Sequence, residues 1–180
     1  MELVHRATAI NDSLQASLAQ LENNLVIIPQ EESSLLDIFT TNYSEESKPP
    51  ASQSSLATLV WAHAALIYLS VVVSGWQPAS VDVRYHVGRI VELLTRQISP
   101  PTLLRTMVWP FCVAGCLTEL AQEAHLRAVA KALQPPSVFG TVYKALEIME
   151  NVWRNKDAGD AANRDLATCF RSQSDLVLLV

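Results

Sequence analysis

The chain has 180 residues, 49% of them hydrophobic and only 17% charged, with a formal net charge of −5. That length supports one domain with a sizeable core. The acidic balance, with no run of Lys or Arg, excludes the clustered cations of a nucleic-acid-binding surface. Three cysteines are too few for a disulfide framework, and the N-terminus has no basic segment leading into an apolar one. Both features point to an intracellular, reducing compartment without a secretory signal.

In chain order, Leu3, Ala7, Ile10, Leu14, Leu18, Leu21 and Leu25 recur every three or four residues. This spacing predicts an amphipathic helix ended before Pro29, with a narrow stripe suited to a neighbour or a second copy of the chain. An apolar cluster at 35–39 (LLDIF) follows, then a Ser/Glu/Pro-rich stretch at 43–55 (YSEESKPPASQSS) that reads as a linker. Residues 56–73 carry no formal charge and reach the lower limit of a membrane-spanning length. His63, Thr58 and Ser70 within them, and the missing Lys or Arg anchors, favour a central helix apolar all round.

After a turn at 74–80, Val83, Val87, Ile90, Val91, Leu94 and Ile98 mark a further helix, with Glu92 and Arg96 spaced for an i,i+4 pair. Ser99-Pro100-Pro101 has the form of a helix start. The helix it opens enters TMVWPFCVAGCLTEL (106–120), where Pro110 either begins a helix or kinks one, and Gly115 admits a close neighbour. Leu126, Val129, Ala130 and Leu133 predict a short helix stopped by Pro135-Pro136, and Ser137 is placed to cap the next one. That helix carries Val138, Val142, Ala145, Leu146, Met149, Val152 and Trp153. A polar loop, a helical piece at Leu166 to Phe170 and an apolar tail at 175–180 (DLVLLV), suited to plugging into the core, complete the chain. No strand alternation occurs, so the expected fold is all-α, a compact bundle or array of about six to eight helices. Residues 1–54 form an arm and linker and 55–180 the main domain.

Motifs that carry chemistry are sparse. No Gly-rich phosphate loop, HExxH, GxSxG or CxxC occurs. Cys112 and Cys116 share a helical face, but two thiols without further ligands fit core packing better than a metal or redox site. His63 reads as a buried histidine bonded to a carbonyl, or as a polar group projecting into a cavity lined by Trp61, Tyr68 and Trp109. Asp82, Arg84, Tyr85 and His86 are most simply a solvated first turn. The candidate pocket residues are Trp61, His63, Tyr68, Trp109 and Cys116, with no metal and no cofactor.

The stretch WPFCVAGC (109–116), then Arg127, then VFGTVYKALEIMENVWR (138–154), resembles the regulatory domain of fungal zinc-cluster transcription factors. Trp109, Pro110, Gly115, Cys116, Arg127, Ala145, Leu146, Glu147 and Trp153 stand in the family's positions, over about the last two-thirds of the chain. The resemblance implies an all-helical domain that regulates activity, contacts partners or senses small molecules. The family's six-cysteine, two-zinc DNA-binding module has no counterpart among these three cysteines, and the N-terminal part looks truncated relative to the family.

Two readings follow from the resemblance. In the first, the chain is a transcription-factor-like regulatory or small-molecule-binding domain without its own DNA-binding module. It then works in the nucleus through a protein partner or a small apolar molecule, with no direct nucleic-acid or membrane contact. In the second, it is a cytoplasmic, cofactor-free cyclase, isomerase or pericyclase of fungal secondary metabolism. A dry helical pocket suffices for such chemistry, so the missing motifs leave it open. The start at Met1, directly in a helix, favours a complete small protein. A third reading is a scaffold that forms a homodimer through the N-terminal helix.

Overall fold

The computed structural model describes residues 2–27, 51–98, 101–156 and 165–171. Among these are seven α-helices and no strand: α1 (Glu2–Ile27), α2 (Ala51–Ser74), α3 (Val81–Glu92), α4 (Val108–Cys116), α5 (Leu120–Lys131), α6 (Gly140–Arg154) and α7 (Leu166–Arg171). A π turn at Leu93–Gln97 extends α3, and a 3-10 segment at Pro101–Met107 leads into α4. The all-α array expected from the sequence is therefore what forms. The LLDIF cluster, residues 43–50 of the expected linker, the Ser99-Pro100 cap and the DLVLLV tail lie outside the described residues.

α2 is the central element, and α1, α3 and α4 pack around it. Its inner faces bury Leu59, Val60, His63, Ala64 and Ile67. By length and composition Gln53–Ser74 is long and apolar enough to cross a membrane, yet only 44% of its most apolar window is buried. The remainder shows as an uncharged outer strip in which Trp61, Tyr68 and Val72 are exposed. α2 starts at Ala51, directly after Pro49-Pro50 in the sequence, so residues 51–55 are helical rather than linker.

α1 lies along α2, burying Leu18 and half-burying Leu14 and Leu21, while Val4 and Ile10 remain exposed. The described part of the leucine stripe is thus used within the chain only over the second half of the helix. The first half stands off from α2 across a cleft of about 310 Å³, lined by Ala7, Asn11 and Gln15 on one side and Leu66, Ser70 and Val73 on the other.

Two local expectations are corrected. Glu92 pairs with Arg89 at 2.7 Å, not with Arg96. The π turn that begins at Leu93 widens the helical repeat, so Arg96 is no longer one α-helical turn beyond Glu92. Ser137 does not cap α6: residues 135–139 form tight turns, Val138 N–H donating to Pro135 O and Phe139 N–H to Pro136 O, and the helix starts at Gly140. α5 instead has the reciprocal cap, in which Glu119 and Gln122 exchange side-chain and backbone bonds.

A close approach at a glycine joins α4 to α6. Pro110 sits in the first turn of α4, where its missing N–H breaks no bond, so the helix is not kinked. Gly115 faces Met149: a methyl placed there would lie 2.5 Å from Sδ and 2.8 Å from Cγ. The indole N–H of Trp153 donates to the Gly115 carbonyl at 2.8 Å, a bond that exists only because the helices approach this closely. Cys112 is buried one turn earlier, its Sγ 3.9 Å from the Ala145 carbonyl. Gly115→Ala is expected to lower unfolding free energy by about 1–3 kcal/mol through overpacking. Gly88→Ala on α3, where a methyl meets nothing within 4 Å, should be neutral or slightly stabilising. Urea denaturation of the two variants checks this, and equal losses would contradict the close-approach argument.

Candidate functional site

The five pocket candidates from the sequence fall in three places. Trp61, Tyr68 and Trp109 come together on the surface. The rings of Trp61 and Trp109 stack with centroids 5.4 Å apart and 13° between planes, and Tyr68 lies 5.8 Å from Trp109 at 59°. The indole N–H of Trp61 donates to the Thr106 carbonyl at 3.1 Å, which fixes the ring and leaves its outer face apolar. Cys116 is buried at the C-terminal end of α4, and its pKa is raised well above the ordinary thiol value by the bond to Cys112 and by burial. A thiol so held stays protonated and is a poor nucleophile or ligand.

His63 points the other way, into the junction of α1, α2 and α3. It is fully buried, and its Nδ1 lies 2.9 Å from Nδ1 of His86. The expected carbonyl partner is therefore replaced by a second histidine. His86 is itself buried, so the Asp82–His86 segment is not simply a solvated turn. Arg84 and Tyr85 face outward, Arg84 pairing with Glu119 at 2.6 Å. The sequence carried a signal for His86: with Val83, Val87 and Ile90 it follows the buried spacing of α3. Glu22 likewise sits one turn after Leu18, and it reaches Arg89 at 3.2 Å and Nε2 of His63 at 3.9 Å.

A hydrogen bond between two Nδ1 atoms needs one ring to donate and the other to accept, so the accepting ring is neutral when it forms and the two cannot both be protonated. Burial, the neighbouring His86 and Arg89 push the His63 pKa down to about 4. Burial also lowers that of His86, against the opposing pull of Asp82 and Glu22. Nε2 of His63 has no hydrogen-bond partner.

Three of the residues that carried the family resemblance, Gly115, Arg127 and Trp153, meet at a third point. Arg127 lies over the Trp153 ring, its guanidinium carbon 4.6 Å from the centroid, and donates to Glu150 at 3.1 Å. Glu123, buried, is held by Lys156 at 2.9 Å and Arg127 at 3.5 Å, and Lys156 also donates to the Thr118 carbonyl at 2.8 Å. This cluster ties α5 to α6 and to the end of α4 through complementary charges. None of the four main clefts includes Trp61, His63, Tyr68, Trp109 or Cys116 in its lining. Among the described residues no group of three or more His, Cys, Asp or Glu could hold a metal ion.

This helical array, with Gly115, Arg127 and Trp153 gathered at one packing node, defines a regulatory-type helical domain. The model of the fungal specific transcription factor domain matches residues 2–179, and the chain belongs to that family. It is 35% identical over 179 residues to transcription factor dibT of Pestalotiopsis microspora, covering 99% of this chain and 28% of that protein. It is 31% identical over 114 residues to the ustiloxin B cluster transcription factor ustR of Aspergillus flavus, covering 62% of this chain and 19% of ustR. A trichothecene biosynthesis transcription regulator, TRI10 of Trichoderma arundinaceum, is 29% identical over 103 residues, covering 57% of this chain and 24% of that regulator. The chain thus spans roughly a quarter of the length of these curated relatives. No solved structure matches it.

The histidine pair makes stability pH-dependent. Both folded-state pKa values lie below the unfolded value near 6.5, so the unfolded chain binds more protons as pH falls below that value. The pair's contribution is fully present above pH 6.5 and is lost progressively as pH falls toward 4. The fall from 6.5 to about 4 for His63 alone corresponds to roughly 3 kcal/mol. Urea midpoints measured between pH 7.5 and 5 should fall accordingly, and a His63→Leu/His86→Leu double variant should flatten the slope. An unchanged slope in that variant would show that the pair is not its source.

Proposed function

We propose that this chain is the regulatory part of a fungal regulator of a secondary-metabolism gene cluster, acting on transcription through protein contacts rather than by touching DNA. The observation that carries the reading is the family match across residues 2–179, together with relatives named as regulators of ustiloxin B and trichothecene biosynthesis. The net charge of −5 and the absence of a six-cysteine zinc module within these 180 residues support it. On this reading the nucleus is where the chain works.

The outer strip of α2 is the surface best suited to those contacts. Trp61 is 39% and Tyr68 44% exposed, both against Trp109, and none of the exposed α2 residues from Ser54 to Val72 is charged. Rigid aromatic rings with little rotamer freedom to lose are the side chains on which interface energy concentrates.

Fusing residues 1–180 to a heterologous DNA-binding module should change reporter transcription relative to the module alone. A Trp61→Ala/Trp109→Ala version should reduce that change by about tenfold, the size of a lost interface anchor. Its melting temperature, measured in parallel, separates a lost contact from a lost fold. A fusion that leaves the reporter at the level of the bare module would sink the regulatory reading.

A further inference from the structure

The cleft beneath the first half of α1 measures about 310 Å³, at the lower end of the ~300–1,000 Å³ typical of small-molecule sites. Leu66, Leu69 and Val73 of α2 give it an apolar floor, and α3 contributes Asp82 and His86, one helical turn apart. No Lys or Arg lines it. His86 is the decisive residue. Although only 5% exposed, it borders this cleft and none of the other main ones. Its Nδ1 is taken by His63 at 2.9 Å, and its Nε2 has no hydrogen bond among the described residues. That nitrogen is not sealed in the core: among the described residues, the buried side-chain polar atom cut off from both solvent and partner is Nε2 of His63 alone. The free Nε2 of His86 therefore opens on the cleft that its ring borders.

The tautomers decide what this nitrogen offers. Nε2 of His63 lies 3.9 Å from Oε1 of Glu22. A proton on that nitrogen is attracted by the carboxylate, whereas a lone pair is repelled by it, so His63 carries its proton there. His63 Nδ1 then accepts, His86 Nδ1–H donates, and His86 Nε2 presents a lone pair. Asp82 is a second acceptor at the same place. It makes no ion pair or hydrogen bond among the described residues, yet it is near enough to raise the proton affinity of the His86 ring. Two acceptors, one of them charged and neither paired, select a donor with a positive charge and repel an anion.

We infer that this cleft binds a small primary amine, with its apolar body on Leu66, Leu69 and Val73 and its ammonium head between His86 Nε2 and the Asp82 carboxylate. An ammonium has three N–H donors, enough for both acceptors at once. Asn11 and Gln15 line the α1 side of the cleft. An occupied site therefore joins the half of α1 that stands off to α2 and α3. Its use as an effector site rests on the regulatory reading above, whereas the binding itself does not. The reporter fusion and the binding test therefore fail separately.

The probes are three molecules with one indolylethyl body: tryptamine, tryptophol and indole-3-propionate, titrated into the whole chain at pH 7.5 by calorimetry. Tryptamine should bind saturably and shift the Nε2 signal of His86 in nitrogen NMR. The alcohol should bind more weakly and the acid not measurably. Asp82→Asn should weaken the amine by about tenfold, the size of one charge-assisted hydrogen bond. Asp12→Asn, which removes the same charge from an exposed position of α1 outside the cleft lining, should leave the affinity unchanged. If Asp82→Asn unfolds the chain by removing the acid from the first turn of α3, the His86 signal in the unaltered chain decides the matter. Absent saturation, equal binding of acid and amine, an unmoved His86 signal, or equal losses in the two variants would each overturn the assignment.

Discussion

The contact between α4 and α6 at Gly115 is the constraint on which the C-terminal half depends. With no side chain at this position, the Met149 side chain fills the space a methyl would occupy, and the Gly115 carbonyl accepts the Trp153 indole N–H. Once Trp153 is fixed, its ring supports the Arg127 guanidinium, and Arg127 together with Lys156 neutralises the buried Glu123. A buried carboxylate is costly unless it is paired and bonded. The order of dependence thus runs from backbone proximity, to one hydrogen bond, to the charge cluster that joins α5 to α6. Glycine, tryptophan and arginine stand far apart in sequence, yet they are three parts of one packing device.

This dependence explains why the family resemblance was carried by those residues rather than by a catalytic motif. Gly115, Arg127 and Trp153 are spaced irregularly because they come from different helices that meet at one node, while Trp109 faces the other way, onto Trp61. Cys112 and Cys116 belong to the same device as small buried groups. A thiol at this depth, bonded to its neighbour thiol, has its pKa pushed up and not down, the opposite of what nucleophilic or metal-binding cysteines need.

The sequence made the helices legible because their apolar periodicity is strong, as in α6, where Val142, Ala145, Leu146, Met149, Val152 and Trp153 all turned out buried. It misplaced features set by backbone choices between helices. The π turn after α3 moved Glu92 onto Arg89, and the tight turns at 135–139 displaced the start of α6 past Ser137. Neither is encoded in a periodicity. At the candidate sites, helical spacing of four placed His63 on a face with Leu59 and Ile67, so its burial followed. Its partner, 23 residues away, depended on how α3 packs on α2. Trp61 and Tyr68 share a face of α2 by spacing alone, but Trp109, arriving from α4, was brought to them only by the fold.

The molecule therefore divides its polar investments unevenly. At the C-terminal node every charge has a close partner, and the result is a fixed structural unit. At the α1–α2–α3 junction the pairing is incomplete: two neutral histidines share one bond, one ring nitrogen is left over, and a single arginine serves two carboxylates. Unpaired groups of that kind lower the stability of the place where they sit, and they sit where α1 is held mainly by Leu14, Leu18, Leu21 and Glu22. A regulatory domain needs one element whose docking free energy is small enough for a partner or ligand to tip. α1 meets α2 as extensively as α6 meets α4, so what sets its docking apart is the incomplete polar pairing at its junction and not a shortage of contact.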